Sequence, residues 1–344
     1  MSQTMIIEEV LARPQEVSWL PWAVQYFFFI GIAACAALFG CLLHWRKRHD
    51  AKLERLTLLI ALTCAITAPL ALTADLHQTA RFWHFYAYPT PWSWMPWGAL
   101  FLPLFILFLG LWFAVRQSGL LRNKSDSVTK WLALASALTA TGLLLYTGRE
   151  VSVVQARPVW FSYAFVLAMF FSALQTFFAL LIVAVRNDFQ CQRQLAIWQL
   201  SALMLLAVVV AIWVSGDTLS GSAIRQWLGG FPFTPPFAAE GAIGWLACWL
   251  ISLIFCALAL RYPLTLPVRA LLAVSAMALS WLMRWTLLIQ GQTIPKFNAQ
   301  FNPYTLPVGT DGWLAILGTF GLWIALLIIV RETVNGLARR RQHG

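Results

Sequence analysis

Charge is scarce in this sequence. Asp, Glu, Lys and Arg make up 11% of 344 residues, and only 13 of them are acidic, too few to coat a water-facing surface on a chain of this length. Histidine is scarcer still, at five residues. His44 and His49 stand at the end of the first apolar run, His343 lies in the tail, and His77 and His84 are seven apart in one connection. No later segment supplies a facing imidazole, so a haem iron gripped from both sides is excluded. The six cysteines, Cys35, Cys41, Cys64, Cys191, Cys248 and Cys256, form no CxxC pair, which excludes an iron–sulfur cluster or a structural zinc at the usual spacing and leaves them as small apolar packers. There is no Gly-rich phosphate loop, metal box or nucleophile triad. The first 19 residues carry Glu8, Glu9 and Glu16 and lack the basic region of a cleavable signal, so the first apolar run is expected to remain as a helix. Any redox chemistry on this chain therefore needs a diffusible organic carrier.

What is abundant is apolar surface: 60% hydrophobic residues, a mean hydropathy of +0.72 and 19 Trp. Runs of roughly 20 apolar residues, enough to cross a bilayer as helices, fall near 20–43, 54–74, 96–115, 131–149, 160–185, 195–214, 241–260, 266–289 and 312–331. The expected fold is an all-α integral membrane protein of nine spans, a multi-pass protein of the bacterial cytoplasmic membrane.

The connections differ in charge. Arg46, Lys47, Arg48, Lys52 and Arg55, then Arg116, Arg122, Lys124 and Lys130, then Arg186, Arg193, Arg261 and Arg269, then Arg331 and Arg339 to Arg341 fall on one side. Arg13, Arg81, Arg149, Arg157, Arg225, Arg284 and Lys296 are spread over the other. Because Lys and Arg resist translocation, the N-terminus is expected outside and the C-terminus in the cytoplasm. The net charge of +11 then reflects a basic rim facing anionic lipid and calls for no nucleic acid.

Chemistry-bearing residues concentrate at the outer edge. The stretch DLHQTARFWHFYAYPTPWSWMPWG, Asp75 to Gly98, packs Asp75, His77, Arg81 and His84 beside Trp83, Trp92, Trp94 and Trp97. Were the second helix to continue through it, His77, Arg81 and His84 would share a helix face. The Trp residues read equally as an interfacial belt. In the second stretch, LLLYTGREVSVVQARPVW, Tyr146, Arg149 and Glu150 follow i, i+3, i+4 and project from one face. Gln25 and Tyr26 lie about a turn inside the first helix, where an amide needs a partner. Quinol oxidation asks for this chemistry: a phenol or imidazole, such as Tyr146 or His77, to bond the quinone oxygens, and a carboxylate, Asp75 or Glu150, to take the proton. Arg81 and Arg149 would keep a carboxylate ionised. The alternative is a structural staple in which Arg81 pairs with Glu150 and Arg149 with Asp75.

These two stretches, with GDTLSG at 216–221, LMRWTLLIQGQTIPKFNAQFNPY at 282–304 and TDGWLAILGTFGLW at 310–323, resemble the quinone-reactive membrane anchors of the polysulfide-reductase type (NrfD-like), over the whole chain. The resemblance implies a quinol-oxidising subunit that passes electrons to an iron–sulfur subunit and on to a molybdopterin subunit, both on the outer side, with menaquinol before ubiquinol as the carrier. It places Tyr146 of the Tyr-x-Gly stretch on the quinone and Asp75 at the proton-handling acidic position of the second helix. It departs at the first helix, where the family's Asn and His are replaced by Trp22, Gln25 and Tyr26; Gln25 and Tyr26 take that role here.

The resemblance and the short connections together imply two consecutive four-helix bundles, 20–149 and 150–289, followed by an outer loop and ninth helix at 290–331, with an outer tail at 1–19 and a basic tail at 332–344. In the second half, Asp217, Glu240, Arg284 and Asp311 gather on the outer side as partner-docking charges or, alternatively, a second proton route, and the polar loop Gln290 to Asp311, with Gln292, Lys296, Asn298, Gln300 and Asn302, reads as a partner surface. The cytoplasmic halves of the helices are expected to hold no string of ionisable groups, so electrons and protons leave together and no charge crosses the membrane. Two other readings stay open: a secondary transporter, which would need Gly- or Pro-broken helices in both halves and charges near the midplane, and a purely structural anchor.

Overall fold

A computed structural model describes residues 17–46, 50–76, 78–118, 125–185, 188–229, 237–293 and 304–343. They form α1 (Pro21–Trp45), α2 (Ala51–Asp75), the short α3 (His84–Ala87), α4 (Met95–Ser118), α5 (Ser125–Ser152), α6 (Tyr163–Ala184), α7 (Phe189–Ser215), the short α8 (Leu219–Gly229), α9 (Phe237–Arg261), α10 (Leu266–Arg284), the one-turn α11 (Gly291–Thr293) and α12 (Trp313–His343). No strand occurs among the described residues. Among them, nine helical spans are long and apolar enough to cross a membrane, one for each expected run.

Local chemistry sets the helix starts. Pro21 opens α1 where its missing N–H costs nothing. Asp50 caps α2 by accepting from the Lys52 and Leu53 amides, Ser162 caps α6 at Ala164, and Asp188 caps α7 at Cys191. Each cap sits in the polar connection before an apolar run, satisfying amides that lipid could not.

Helix α1 is the axis of the molecule. It lies against α2, α5 and α6, and more lightly against α10 and α12. In its most apolar stretch 83% of residues are buried, against 22% in α9 and α12, which face outward. A helix that is apolar all round belongs inside, and small residues let its neighbours close in. At Gly31 an added Cβ would stand 3.0 Å from the Arg284 guanidinium and 3.1 Å from Ala173; at Gly40 it would stand 3.1 Å from Trp112. Around this axis α2 meets α4 and α4 meets α5, while α6 meets α7 and α10, and α9 touches both α7 and α10. Helix α12 lies on α2 and α1.

Two segments depart from the sequence expectation. Helix α2 stops at Asp75, and the chain bends at Gln78 into a 3-10 turn, Thr79–Arg81, before α3. Arg81 and His84 are therefore not on a shared continuous helix face; His77 lies outside the described residues. At the other end of the chain, α10 does not end near 289. It widens into a π-helical stretch, Trp285–Gln290, and runs on through α11 to Thr293.

Candidate functional site

Helix α5 runs unbroken through Ser152, so Tyr146 and Glu150 stand one turn apart. The Tyr146 hydroxyl lies within interaction reach of the Glu150 carboxylate. Tyr26 of α1 lies within electrostatic reach of both. Tyr146 and Tyr26 are buried, and the Tyr26 hydroxyl has no hydrogen-bond partner among the described residues. The third wall is α4: a Cβ on Gly98 would fall 2.1 Å from the Tyr146 ring carbon bearing the oxygen and 2.6 Å from the oxygen itself. Only glycine leaves room for the phenol there. Two phenols and one carboxylate thus meet where α1, α4 and α5 converge, and the Tyr26 hydroxyl keeps its hydrogen-bonding capacity unused by the described residues.

The other residues singled out from the sequence are placed as follows. Gln25 is buried, its amide nitrogen 3.4 Å from the Ile316 carbonyl of α12, and its Oε1 has no partner among the described residues. Asp75 accepts from the Leu20 amide at 3.1 Å, holding the end of α2 to the start of α1. Arg81 is exposed and donates to Gln78 at 2.8 Å. Arg149 turns away from Glu150, with its guanidinium 5.7 Å from the Trp94 ring and 5.3 Å from the Tyr163 ring, in cation–π range. Neither guanidinium forms an ion pair among the described residues, which overturns both the expected charge support for a carboxylate and the Arg81–Glu150 and Arg149–Asp75 staple. The rings offer Arg149 contact without the desolvation of a buried ion pair. Trp92, Trp94 and Trp97 are exposed, which fits an interfacial belt.

The second half corrects two expectations. Gln292 is not on a partner surface: it is buried, its Oε1 accepts from the Ser18 and Trp19 amides at 3.0 and 3.1 Å, and its Nε2 donates to the Trp19 and Leu288 carbonyls. Arg157 donates to the Gln292 carbonyl at 2.6 Å, and half-burial lowers its pKa by desolvation. Beside them Trp160 stacks on Trp19 at 5.1 Å and donates to the Leu287 carbonyl, an acceptor made available in the π-helical stretch. Arg284 is likewise not a docking charge but lies in the core. Asp217 is fully exposed, 3.9 Å from Arg225, and Asp311 accepts from the Trp22 indole at 3.3 Å. Burial, with the Asp311 charge second, raises the pKa of Tyr304 nearby. The Glu240 side chain and the loop residues Lys296, Asn298, Gln300 and Asn302 lie outside the described residues.

A cluster that sequence reasoning missed lies at the opposite, basic end. Glu54 is fully buried, its carboxylate receiving His44 Nδ1 at 3.1 Å, the Trp112 indole at 3.2 Å and Arg116 at 2.6 Å. Along the chain, Lys52 and Arg55 beside it look like an ordinary basic connection; the available signal was a lone acid at a helix start with a His ten residues earlier. No group of three or more metal-ligating side chains occurs among the described residues.

The nine apolar spans among the described residues define a helical membrane protein, with two phenols and a carboxylate meeting at one end of its first helices. Residues 9–296 match the family described as polysulphide reductase, NrfD, and the chain belongs to that family, as a multi-pass protein of the bacterial inner membrane. It is 70% identical, over the full length of both chains, to a tetrathionate reductase subunit of Salmonella typhimurium. It is 26% identical over 180 residues, 42% of each chain, to a selenate reductase subunit of Mesobacillus selenatarsenatis.

Proposed function

We propose that this chain is the membrane anchor and quinol-oxidising subunit of a reductase complex, passing electrons from quinol to an iron–sulfur subunit and thence to a molybdopterin subunit that reduces tetrathionate. The observation that carries the reading is the meeting of Tyr146 and Glu150 with a buried Tyr26 hydroxyl that has no hydrogen-bond partner among the described residues. Full-length similarity to a tetrathionate reductase subunit supports the acceptor. One quinol hydroxyl donates toward the Tyr146–Glu150 pair and the other bonds Tyr26, with Gln25 Oε1 as a further acceptor. As two electrons leave, the quinol gives up two protons and becomes quinone. Glu150 takes a proton through Tyr146, and Asp75, half-buried at the same end, passes protons to water. His77 is a further candidate for bonding a quinone oxygen in this reading. Arg149 holds Trp94 and Tyr163 in place beside the site, and Arg81 lies at the rim.

The asymmetry of Lys and Arg supports an outward-facing site, an outer N-terminus and a cytoplasmic C-terminus, with the redox partners docked outside. Menaquinol is the carrier favoured over ubiquinol, and the contacts of α2 and α5 with both α1 and α4, and of α7 and α10 with both α6 and α9, support the two-bundle arrangement. Protons and electrons leaving on the same side make the step electroneutral. A transporter reading would lean on Arg284 beside the π-helical stretch, yet that charge is clasped by neighbouring helices rather than lining a path.

The test is electron transfer from a reduced quinol analogue to the iron–sulfur partner in membranes. Tyr146→Phe and Glu150→Gln are expected to lower it with the complex still assembled; native rates in both would refute the assignment. Charge movement coupled to quinol oxidation in proteoliposomes would refute electroneutrality.

A further inference from the structure

Arg284 is 1% exposed, and its counter-charge is missing among the described residues: every group it touches is neutral. Its Nε donates to the Phe27 carbonyl of α1 at 3.0 Å. The two hydrogens of one terminal nitrogen serve Ser172 Oγ of α6, Ser280 Oγ and the Ser280 carbonyl. The other terminal nitrogen, Nη2, donates to the Met169 carbonyl at 3.0 Å. A guanidinium has five N–H donors, so Nη2 keeps one N–H in hand. That nitrogen lies against Gly31, where a Cβ would approach it to 3.0 Å.

Gly31 and Arg284 line a cavity of about 310 Å³ between α1, α5 and α6, walled otherwise by Leu144, Gly148, Val166 and Phe170 among apolar neighbours. Its size is at the lower end of the roughly 300–1,000 Å³ usual for small-molecule sites. Leu145 and Leu167, on its rim, are exposed to the lipid side. Phe27 is six residues beyond Pro21, so the charge sits about 9 Å below the start of α1 at 1.5 Å per residue. A lipid phosphate stays at headgroup depth, whereas a neutral carbonyl compound reaches this level without a Born penalty.

We propose that this cleft is a second quinone seat, in which the Arg284 Nη2 hydrogen is donated to a carbonyl oxygen of oxidised quinone. The inference rests on the reading of this chain as quinol-oxidising and adds to it a division of labour. The Tyr146–Glu150 pair includes an acceptor and suits a quinol hydroxyl. Arg284 offers donors only and suits the product. The lipid-facing cleft next to Thr147 and Gly148 gives the quinone a place to wait one turn from where it forms.

The experiment is photolabelling of the intact complex in nanodiscs with a diazirine-bearing naphthoquinone, mapped by peptide mass spectrometry. The oxidised probe is expected to mark 165–170 of α6, with at least a tenfold loss in Leu144→Trp, which fills the cleft, and in Arg284→Lys, which keeps the charge but loses the fork. The reduced probe is expected to mark the Tyr26 and Tyr146 neighbourhoods instead. Leu144→Trp alone decides if Arg284→Lys does not assemble. Unchanged α6 labelling in Leu144→Trp overturns the proposal, as does labelling displaced by anionic phospholipid but not by excess quinone. A blank α6 with labelled Tyr26 and Tyr146 removes the second seat and leaves the quinol site standing. No labelling anywhere, with no quinol-driven reduction, removes both.

Discussion

Two glutamates, Glu54 buried and Glu150 half-buried, sit at opposite ends of the same group of helices, and their surroundings differ. Glu54 is saturated: an imidazole, an indole and a guanidinium converge on its two oxygens. Glu150 forms no ion pair among the described residues; one phenol lies within reach on its own helix, and a second, Tyr26, has no hydrogen-bond partner among those residues. A carboxylate whose lone pairs are filled by protein is a brace, since moving any member strands a charge. One with lone pairs to spare can exchange partners during a reaction. The comparison separates a structural end from a chemical end within a single packing unit, and substitutions at each end should fail in different ways.

The largest effect is expected at the brace. Glu54→Leu leaves His44, Trp112 and Arg116 without their shared acceptor, and should destabilise the fold by about 3 kcal/mol, at the low end for breaking a buried pair because Arg116 keeps some access to solvent. The readout is subunit abundance in membranes and thermal stability in detergent, both of which should fall together. At the chemical end, Glu150→Gln should leave abundance native and lower quinol-driven electron transfer about 100-fold, the lower bound of a general base contribution, or about 2.7 kcal/mol.

Smaller effects sharpen the contrast. Tyr146→Phe should cost about tenfold, roughly 1.4 kcal/mol in the barrier, with assembly retained. Gly98→Ala should approach that loss without touching the phenol, because the added methyl must displace the ring; a quinol KM rising more than kcat falls would identify displacement. The smallest change is expected from Asp75→Asn, which keeps an oxygen for the Leu20 amide while removing a titrating group. Asp75→Ala should additionally lose about 1 kcal/mol of stability, as for a lost helix cap, and thermal melts of the two variants separate the staple from proton handling.

Much of this architecture is legible from local pattern. Apolar runs mark the nine spans because bilayer thickness imposes one length on all of them, and Tyr146 with Glu150 is legible because i, i+4 spacing fixes a shared face on any unbroken helix. What escapes is whatever depends on acceptors from elsewhere in the chain. Arg284 reads as an edge charge until Phe27, Met169, Ser172 and Ser280 are seen to surround it. Gln292 reads as loop polarity until the start of α1 lies under it. Gly98 is an ordinary helix glycine in sequence, and only the Tyr146 ring against its backbone explains it. The continuous face expected for Arg81 and His84 fails because α2 ends before them, a boundary that the polar composition there leaves open.

The π-helical stretch Trp285–Gln290 has a bearing on how this chain tolerates insertion and deletion. A π-turn holds one residue more than an α-turn, so deleting a single residue there would let the helix relax to ordinary winding. Everything beyond would keep nearly the same angle, because the wide turn already absorbs the extra residue, whereas a deletion in the ordinary winding of Leu266–Arg284 would turn everything beyond it by about 100° and draw it back by about 1.5 Å. That shift would swing Gln292 off the Trp19 and Ser18 backbone. The wide turn works as slack in the winding, taking up one residue while the far end of the chain still meets its beginning.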